Sequence, residues 1–353
     1  MRSSRAEDRG AGLTLRVTPY DGPASRWDDW VRTQPHWSHF HLYGWRAIME
    51  RVLGHECLYT AAITPAGELA GVLPLVRVKS ILFGHHLVSM PFLNYGGPLG
   101  NEAAVAALTD HAARMAQADR AHVLQLRSRT SLPVSLPVSH RKITVLLDIP
   151  AGGATALWKQ LDAKVRSQIR RPQKEGITVR FGRDEVQPFF RVFAHHMRDL
   201  GTPTQPLALF EMIADTFPDD VTFGCAYRDG EAVAGGCGFR WGDEFEMTWA
   251  SSLRAYNKLS PNMLLYWEFM QRTADSGVTT FNFGRCTPGG GTHRFKRQWG
   301  TRDEPLWWYE HRAAGASLPS EGAGTLGWAP RIWQRLPLSL ATVLGPRVVR
   351  FIP

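Results

Sequence analysis

Apolar positions along this chain fall into two periods that recur in the same order. Tyr59-Thr60-Ala61-Ala62-Ile63 and Leu69-Ala70-Gly71-Val72-Leu73-Pro74-Leu75 flank the turn segment Thr64-Pro65-Ala66-Gly67-Glu68. Residues 222–227 and 232–239 flank Arg228-Asp229-Gly230-Glu231 in the same way. Apolar alternation around a glycine-bearing turn predicts a β-hairpin at each place. A helical period over 103–118 and a buried strand over 121–127 follow the first hairpin, and 262–275 and 278–283 repeat the pair after the second. The second helix has clear boundary signals: Ser260 as N-cap, Pro261 at the first helical position and Gly277 beyond the end. The copies are offset by about 160 residues, so the pattern reads as an internal duplication. Strands and helices alternating in duplicate predict two α/β domains of one ancestry.

Between the copies, residues 155–175 read as one basic amphipathic helix carrying Lys159, Lys164, Arg166, Arg170, Arg171 and Lys174, interrupted or kinked at Pro172. A junction is where two-domain enzymes place their cleft. The expected division is an N-terminal domain over 13–150, a C-terminal catalytic domain over 151–312 and a tail over 313–353. That tail interleaves Trp328, Trp333, Leu336, Leu340, Leu344 and Phe351 with Arg331, Arg335, Arg347 and Arg350, and Pro330, Pro337 and Pro346 cut it into short pieces. It reads either as a segment packing back on the first domain or as a surface anchor for anionic lipid.

Composition narrows the class. Over 353 residues, 44% are hydrophobic and the formal charge is +9, which excludes a disordered chain and a small disulfide scaffold. Seven of the 41 cations are Lys and the remaining 34 are Arg, whose planar fork pairs with phosphate and carboxylate. An anionic partner is expected. The four cysteines form no C-x-x-C pair, so neither a disulfide framework nor a zinc site is expected. The first residues have no apolar leader core and no stretch reaches the length of a membrane span, which points to the cytoplasm.

Familiar catalytic signatures are absent: there is no G-x-S-x-G elbow, no G-x-x-x-x-G-K-[ST] loop and no H-E-x-x-H pair. The paired histidines, His85-His86 and His195-His196, diverge on a strand or helix and suit no shared metal. Gly96-Gly97 and Gly289-Gly290-Gly291 lack the order of a dinucleotide loop. Chemistry concentrates instead from Gly284 to Gly300, where three consecutive glycines, Lys296 and the aromatics Phe295 and Trp299 follow a strand end. Such a loop lets backbone approach a ligand and places a cation where negative charge develops. Cys286 and His293 are a weaker pairing of nucleophile and base.

The runs Phe281-Asn282-Phe283-Gly284-Arg285 and Phe295-Lys296-Arg297-Gln298-Trp299-Gly300 resemble the closing motif of the FemABX family. So does the segment from Tyr256 to Leu265. Further matches are Pro91-Phe92-Leu93-Asn94-Tyr95-Gly96-Gly97-Pro98, Arg166-Ser167-Gln168-Ile169-Arg170-Arg171 and Met197-Arg198-Asp199-Leu200-Gly201-Thr202-Pro203. With the Trp333-Gln334-Arg335-Leu336-Pro337 tail, the chain looks most like the subgroup found with exosortase and exopolysaccharide loci.

The resemblance implies two tandem GNAT-like domains, each a mixed, mostly antiparallel sheet flanked by helices. It also implies amide formation, in which an amine on a nucleotide- or lipid-linked sugar precursor of envelope polysaccharide or peptidoglycan attacks an activated acyl group. No metal or tightly bound cofactor is implied; the donor is an aminoacyl-tRNA ester or an acyl-coenzyme A thioester. The family's lysine falls on Lys296, which would stabilise the oxyanion or the leaving group, and its phosphate-contacting arginine on Arg198. Tyr256 joins Lys296 as a catalytic candidate, while Arg166 and Arg285 would line the cleft. The stretch Arg254-Ala255-Tyr256-Asn257-Lys258-Leu259 lacks the glycines of a coenzyme A pyrophosphate loop, but amides from Ser260 through Asn262 to Met263 open a helix where a phosphate would sit. The general base stays open among Asp243, Glu246 and Asp303. The long helical arm that tRNA-using members often insert is not evident between Arg240 and Arg254. The competing class is a non-catalytic protein binding tRNA or anionic lipid through Arg. A cytoplasmic enzyme in peripheral contact with the inner membrane fits the first class.

Overall fold

The computed structural model describes residues 15–80, 84–313 and 329–352. In chain order the first half contains β1 (Arg16–Pro19), α1 (Ala24–Thr33), α2 (Gly44–Arg51), β2 (Glu56–Ile63), β3 (Leu69–Ser80), β4 (Gly84–Ser89), β5 (Leu99–Gly100), α3 (Glu102–Ala118), β6 (Val123–Ser128), β7 (Val138–Ser139) and β8 (Ile143–Asp148). The second contains α4 (Gly153–Gln160), α5 (Ala163–Lys174), β9 (Thr178–Phe181), α6 (Val186–Leu200), α7 (Leu207–Thr216), β10 (Val221–Arg228), β11 (Glu231–Trp241), β12 (Glu244–Ser252), α8 (Pro261–Asp275), β13 (Thr280–Cys286), α9 (Gly291–Arg297), β14 (Arg302–Pro305) and β15 (Trp307–Arg312). The helices α10 (Ala329–Trp333) and α11 (Leu338–Val349) follow.

Both hairpins form where the alternation placed them, as β2–β3 and β10–β11, and each is followed by its helix and strand. The sheets share one plan: the order is β1-β2-β3-β4-β6-β15-β7 in one and β9-β10-β11-β12-β13-β8-β14 in the other. Corresponding strands are antiparallel except β4–β6 and β12–β13, which run parallel on either side of α3 and α8. This is the mixed, mostly antiparallel duplicate expected.

The sheets exchange strands. Ile143–Asp148 lies between β13 and β14 of the second sheet, and Trp307–Arg312 lies between β6 and β7 of the first. Sheet membership therefore crosses the 13–150 and 151–312 division, and each half completes the other's sheet. The largest core crosses it too, because Phe40 and Trp45 pack on Phe217 and Phe239, with Trp45–Phe217 and Trp45–Phe239 ring centroids 5.4 and 5.5 Å apart. Aromatic rings bury large areas each, so the two halves are held as one packed unit.

Three local expectations change. The basic segment 155–175 is two helices, because Leu161 is extended and the Arg166 guanidinium caps the carbonyls of Trp158 and Leu161 at the end of α4. Pro172 sits in the last turn of α5, where its carbonyl accepts the Ile177 amide. Ser260 does precede α8, but the 3-10 turn Arg254–Leu259 delivers it at φ 59°, and its hydroxyl makes no capping bond. Residues 314–328 lie outside the described residues, and the described part of the tail, 329–352, lies mainly on α6 and the 201–206 segment. Small residues permit this: a Cβ on Gly201 would meet Pro330 and one on Gly345 would meet the Thr204 backbone at 2.8 Å. Its end reaches the first half, where Arg350 donates to the Gly54 carbonyl at 3.5 Å.

Candidate active site

The parallel pair β12–β13 stays in register for three positions, Glu244 with Thr280, Phe245 with Phe281 and Glu246 with Asn282. Beyond them β12 continues against β11 to Ser252, and β13 turns at Gly284 (φ 71°) to pair with β8 at Arg285 and Cys286. The ladder therefore ends there, Gly284 still lies against the Met247 carbonyl, and the strands part beyond it, leaving an opening between Trp249–Ser252 and Arg285–Cys286. In the first half β4 and β6 part at the corresponding place, after Val88 and Gln125, but chain fills the gap. The Arg127 amide donates to Ser89 Oγ at 2.8 Å, its carbonyl accepts from Gly96 N at 3.1 Å, and its guanidinium donates to the Leu93 carbonyl at 3.1 Å.

The segment that fills the first opening also supplies the second. It leaves β4 through Met90 and Phe92 at positive φ, 52° and 69°, a costly conformation for residues with a Cβ. Asn94 and Tyr95 then reach across, their amide and hydroxyl donating to the carboxylate of Glu246. Glu246 is fully buried and also meets Thr248 Oγ1 and Asn282 Nδ2, each at 3.2 Å. The Asn282 carbonyl oxygen accepts from Thr144 Oγ1 at 2.6 Å and from Gly284 N at 2.7 Å. Its amide lies 2.7 Å from Glu244 Oε1. Four segments distant in sequence are thus tied to one carboxylate. Burial pushes Glu246 up to about 7, with help from the Glu244 charge, against the pull of the Tyr95 hydrogen bond.

Arg129 closes the network on its outer side. Its guanidinium donates to both oxygens of Glu244 at 2.8 and 2.7 Å and to Glu304 at 3.3 Å, and lies 5.4 Å over the Tyr95 ring. Burial opposes its charge, but Tyr95 and the two carboxylates outweigh that effect and raise its pKa. Beside it a cleft of about 630 Å³ opens between the halves, walled by Trp37, Trp241 and Trp307.

Lys296 enters from the other side of the opening. The aromatic cluster of Tyr266, Phe283, Phe295 and Trp299 anchors α9, with Tyr266 and Phe283 stacked 5.3 Å apart. Only 4% exposed, the lysine donates through Nζ to the carbonyls of Gly284 at 2.7 Å and Arg285 at 3.1 Å. An ammonium has three hydrogens, and these two bonds, the ones its Nζ makes among the described residues, use two of them. Burial lowers its pKa to about 8, opposed by Cys286 and Glu246. It is still mostly protonated at neutral pH, and it stands where β13 leaves β12.

The remaining sequence candidates divide. Arg285 joins Lys296 through its carbonyl and sets its guanidinium 4.9 Å over the Trp308 ring. Arg198 donates to Asp199 at 2.9 Å, and Arg254 reaches the Asp199 carbonyl at 2.7 Å. Asn262 donates to Ser252 Oγ at 3.2 Å and keeps a buried carbonyl oxygen without a partner. Arg198, Ser260 and Asn262 therefore gather around the end of β12 and the start of α8. Tyr256 donates to Glu231 at 2.8 Å on the surface, and Arg166 is spent on the end of α4. Burial raises the Cys286 thiol, and His293 is held by Asp303 at 2.9 Å, so that pair has little nucleophilic character. Asp243 bonds Thr279 at 3.0 Å, which leaves Glu246 as the carboxylate at the opening. Asn94, Tyr95, Asn282, Glu244 and Arg129 were not singled out as site residues, although Asn94, Tyr95 and Asn282 lie inside the quoted motif segments.

Comparison with known proteins agrees with this fold. The model of the acetyltransferase (GNAT) domain matches residues 159–297, from the end of α4 to the last residue of α9. No curated protein matches the sequence. Among solved structures the chain is similar to FemX, at 16% identity and TM-score 0.64 over 83% of this chain and 97% of that one. It is also similar to the C-terminal domain of a putative lysylphosphatidylglycerol synthetase from Agrobacterium fabrum, at 15% identity and TM-score 0.56 over 82% and 92%. L-PGS from Bacillus licheniformis aligns at 14% identity and TM-score 0.51 over 86% and 95%. The fold is a tandem GNAT fold.

Proposed function

We propose that this protein is an amide-forming N-acyltransferase of the FemABX kind, with its reaction at the β12–β13 opening of the second half. The observation that carries this reading is the buried, cationic Lys296 at the point where the parallel strands part. The acceptor is an amine on a nucleotide- or lipid-linked sugar precursor of exopolysaccharide or peptidoglycan, and a lipid-linked acceptor would place the enzyme at the cytoplasmic face of the inner membrane. The acyl donor is a coenzyme A thioester or an aminoacyl-tRNA ester, two sources of one activated carbonyl.

In this reading the amine nitrogen attacks the carbonyl carbon, and the remaining N–H of Lys296 neutralises the oxyanion that forms. The proton lost by the amine passes through the Thr248 hydroxyl, which donates to Glu246 at 3.2 Å, to the Glu246 carboxylate. Collapse breaks the bond to sulfur or to ribose oxygen, and the leaving group takes that proton. Arg198 at the end of α6, with Ser260 and Asn262 at the start of α8, is the phosphate end of the site. Tyr256 and Arg166 take no step here, because Glu231 and the end of α4 already hold them.

The test follows product from an amino-sugar nucleotide incubated with acetyl-coenzyme A in one arm and aminoacyl-tRNA in the other. Lys296→Ala is expected to lower the rate about 100- to 1,000-fold with an unchanged far-UV spectrum. Transfer at the wild-type rate by that variant would remove Lys296 from the reaction.

A further inference from the structure

The C-terminal helices turn their larger apolar side chains outward. Eight large hydrophobic side chains are exposed among the described residues, and six of them, Ile332, Leu340, Val343, Leu344, Val348 and Ile352, lie in 329–352. A seventh, Leu200, ends α6, against which α10 and α11 pack. The side of α11 that faces the protein is small, because Ala341 and Gly345 are its buried residues. Positions 340, 343, 344 and 347 form the exposed stripe by the helical period, with Val348 at the edge of the buried side, and Val343 is 56% exposed. An ordinary surface helix has the reverse arrangement, apolar inward and polar outward.

Charge identifies what covers this face. Residues 329–352 contain Arg331, Arg335, Arg347 and Arg350 and no Asp or Glu. An apolar stripe alone would suit any hydrophobic partner; joined to cations with no anion among them, it suits a surface with an apolar interior and negative headgroups. No helix among the described residues is long and apolar enough to cross a membrane, and the twelve residues of α11 cover only about 18 Å.

We infer that α10 and α11 dock the protein on an anionic lipid bilayer, with Leu340, Val343 and Leu344 in the acyl boundary and Arg331, Arg335 and Arg347 among the headgroup phosphates. Docking stands independently of the reaction. Its consequence rests on the acyltransfer reading: Gly201, where α6 meets Pro330, comes two residues after Asp199, which Arg254 contacts beyond β12. A docked tail therefore brings the end of the sheet where the strands part toward the lipid, where a lipid-linked acceptor would be found.

The experiment is sedimentation of the full chain with phosphatidylcholine vesicles, with and without phosphatidylglycerol, over a salt series. Binding is expected only with phosphatidylglycerol and to weaken as salt rises. Arg335→Gln with Arg347→Gln should lower the partition coefficient roughly 25-fold. Leu340→Glu with Val343→Glu and Leu344→Glu, all at exposed positions, should abolish binding while the urea midpoint and transfer to a soluble acceptor stay unchanged. Equal binding to both vesicle types, no binding, or binding indifferent to the triple substitution would overturn the inference. So would a dimer in sedimentation velocity that the triple substitution dissociates, since the face would then join two copies. Loss of transfer in Lys296→Ala reads the reaction separately.

Discussion

Replacing Glu246 by Gln should change how stability depends on pH more than it changes stability itself. In the native structure burial lifts this carboxyl from its ordinary 4.5 to about 7. A carboxyl raised in this way is bound to its proton in the folded state when the unfolded chain has already lost it. Its contribution is fully present below pH 4.5 and is lost as pH rises to about 7, where the folded protein must hold a buried anion. The gap corresponds to about 3 kcal/mol. Gln keeps the shape: Oε1 can accept from Asn94 and Thr248, and the amide can donate to the Tyr95 oxygen. It meets one donor, Asn282 Nδ2, where it has none to accept, and that penalty is the same at every pH. Urea unfolding of both proteins from pH 5 to pH 8.5 separates the two effects. The difference in unfolding free energy should move in favour of Glu246→Gln by about 2 to 3 kcal/mol across that range. A difference constant with pH would show that Glu246 is not raised by burial, and would remove it as a base tuned to neutral pH.

Two further outcomes follow from the same network. The proposed reaction would need Glu246 ionised and Lys296 protonated, so kcat/KM should rise through pH 7 and fall through pH 8, and Glu246→Gln should remove the rising limb along with most of the rate. Asn282→Ala would strip the fully buried Glu246 of one donor and Thr144 and Gly284 of their acceptor, costing about 3 kcal/mol in urea unfolding; a cost below 1 kcal/mol would mean that water replaces the amide.

The elements were legible because their signals are local. Alternation around Gly67 and Gly230 makes a hairpin wherever it occurs, and the apolar face of 262–275 makes a helix. The exchange of β8 and β15 has no such signal: Ile143-Thr144-Val145-Leu146-Leu147 reads as a buried strand but says nothing of which sheet buries it. Lys296 stood out since a lone lysine between aromatics after three glycines is locally unusual. Glu246 was visible only as one acid among three. Its distinction comes from Asn94 and Tyr95, some 150 residues earlier, and from a burial that no local window reports. Tyr256 and Arg166 carried the right chemistry for a site, but they are bonded to Glu231 and to the end of α4.

The duplication explains why the Asn94–Tyr95 segment matters more than its place in the first half suggests. Two copies of one fold bring two openings between parallel strands, and an opening exposes backbone groups that need partners or a ligand. In the first copy the chain itself supplies them, through Ser89, Leu93, Gly96 and Arg127. The loop that does so must turn sharply out of β4, which accounts for the positive φ at Met90 and Phe92. Having turned, it has only the second copy to face, and its next two residues meet Glu246. Filling the first opening and furnishing the second are therefore one structural event. A change that loosens the loop in the first half would act on the chemistry of the second, and with β8 and β15 exchanged between sheets, neither half can be expected to keep its opening in shape alone.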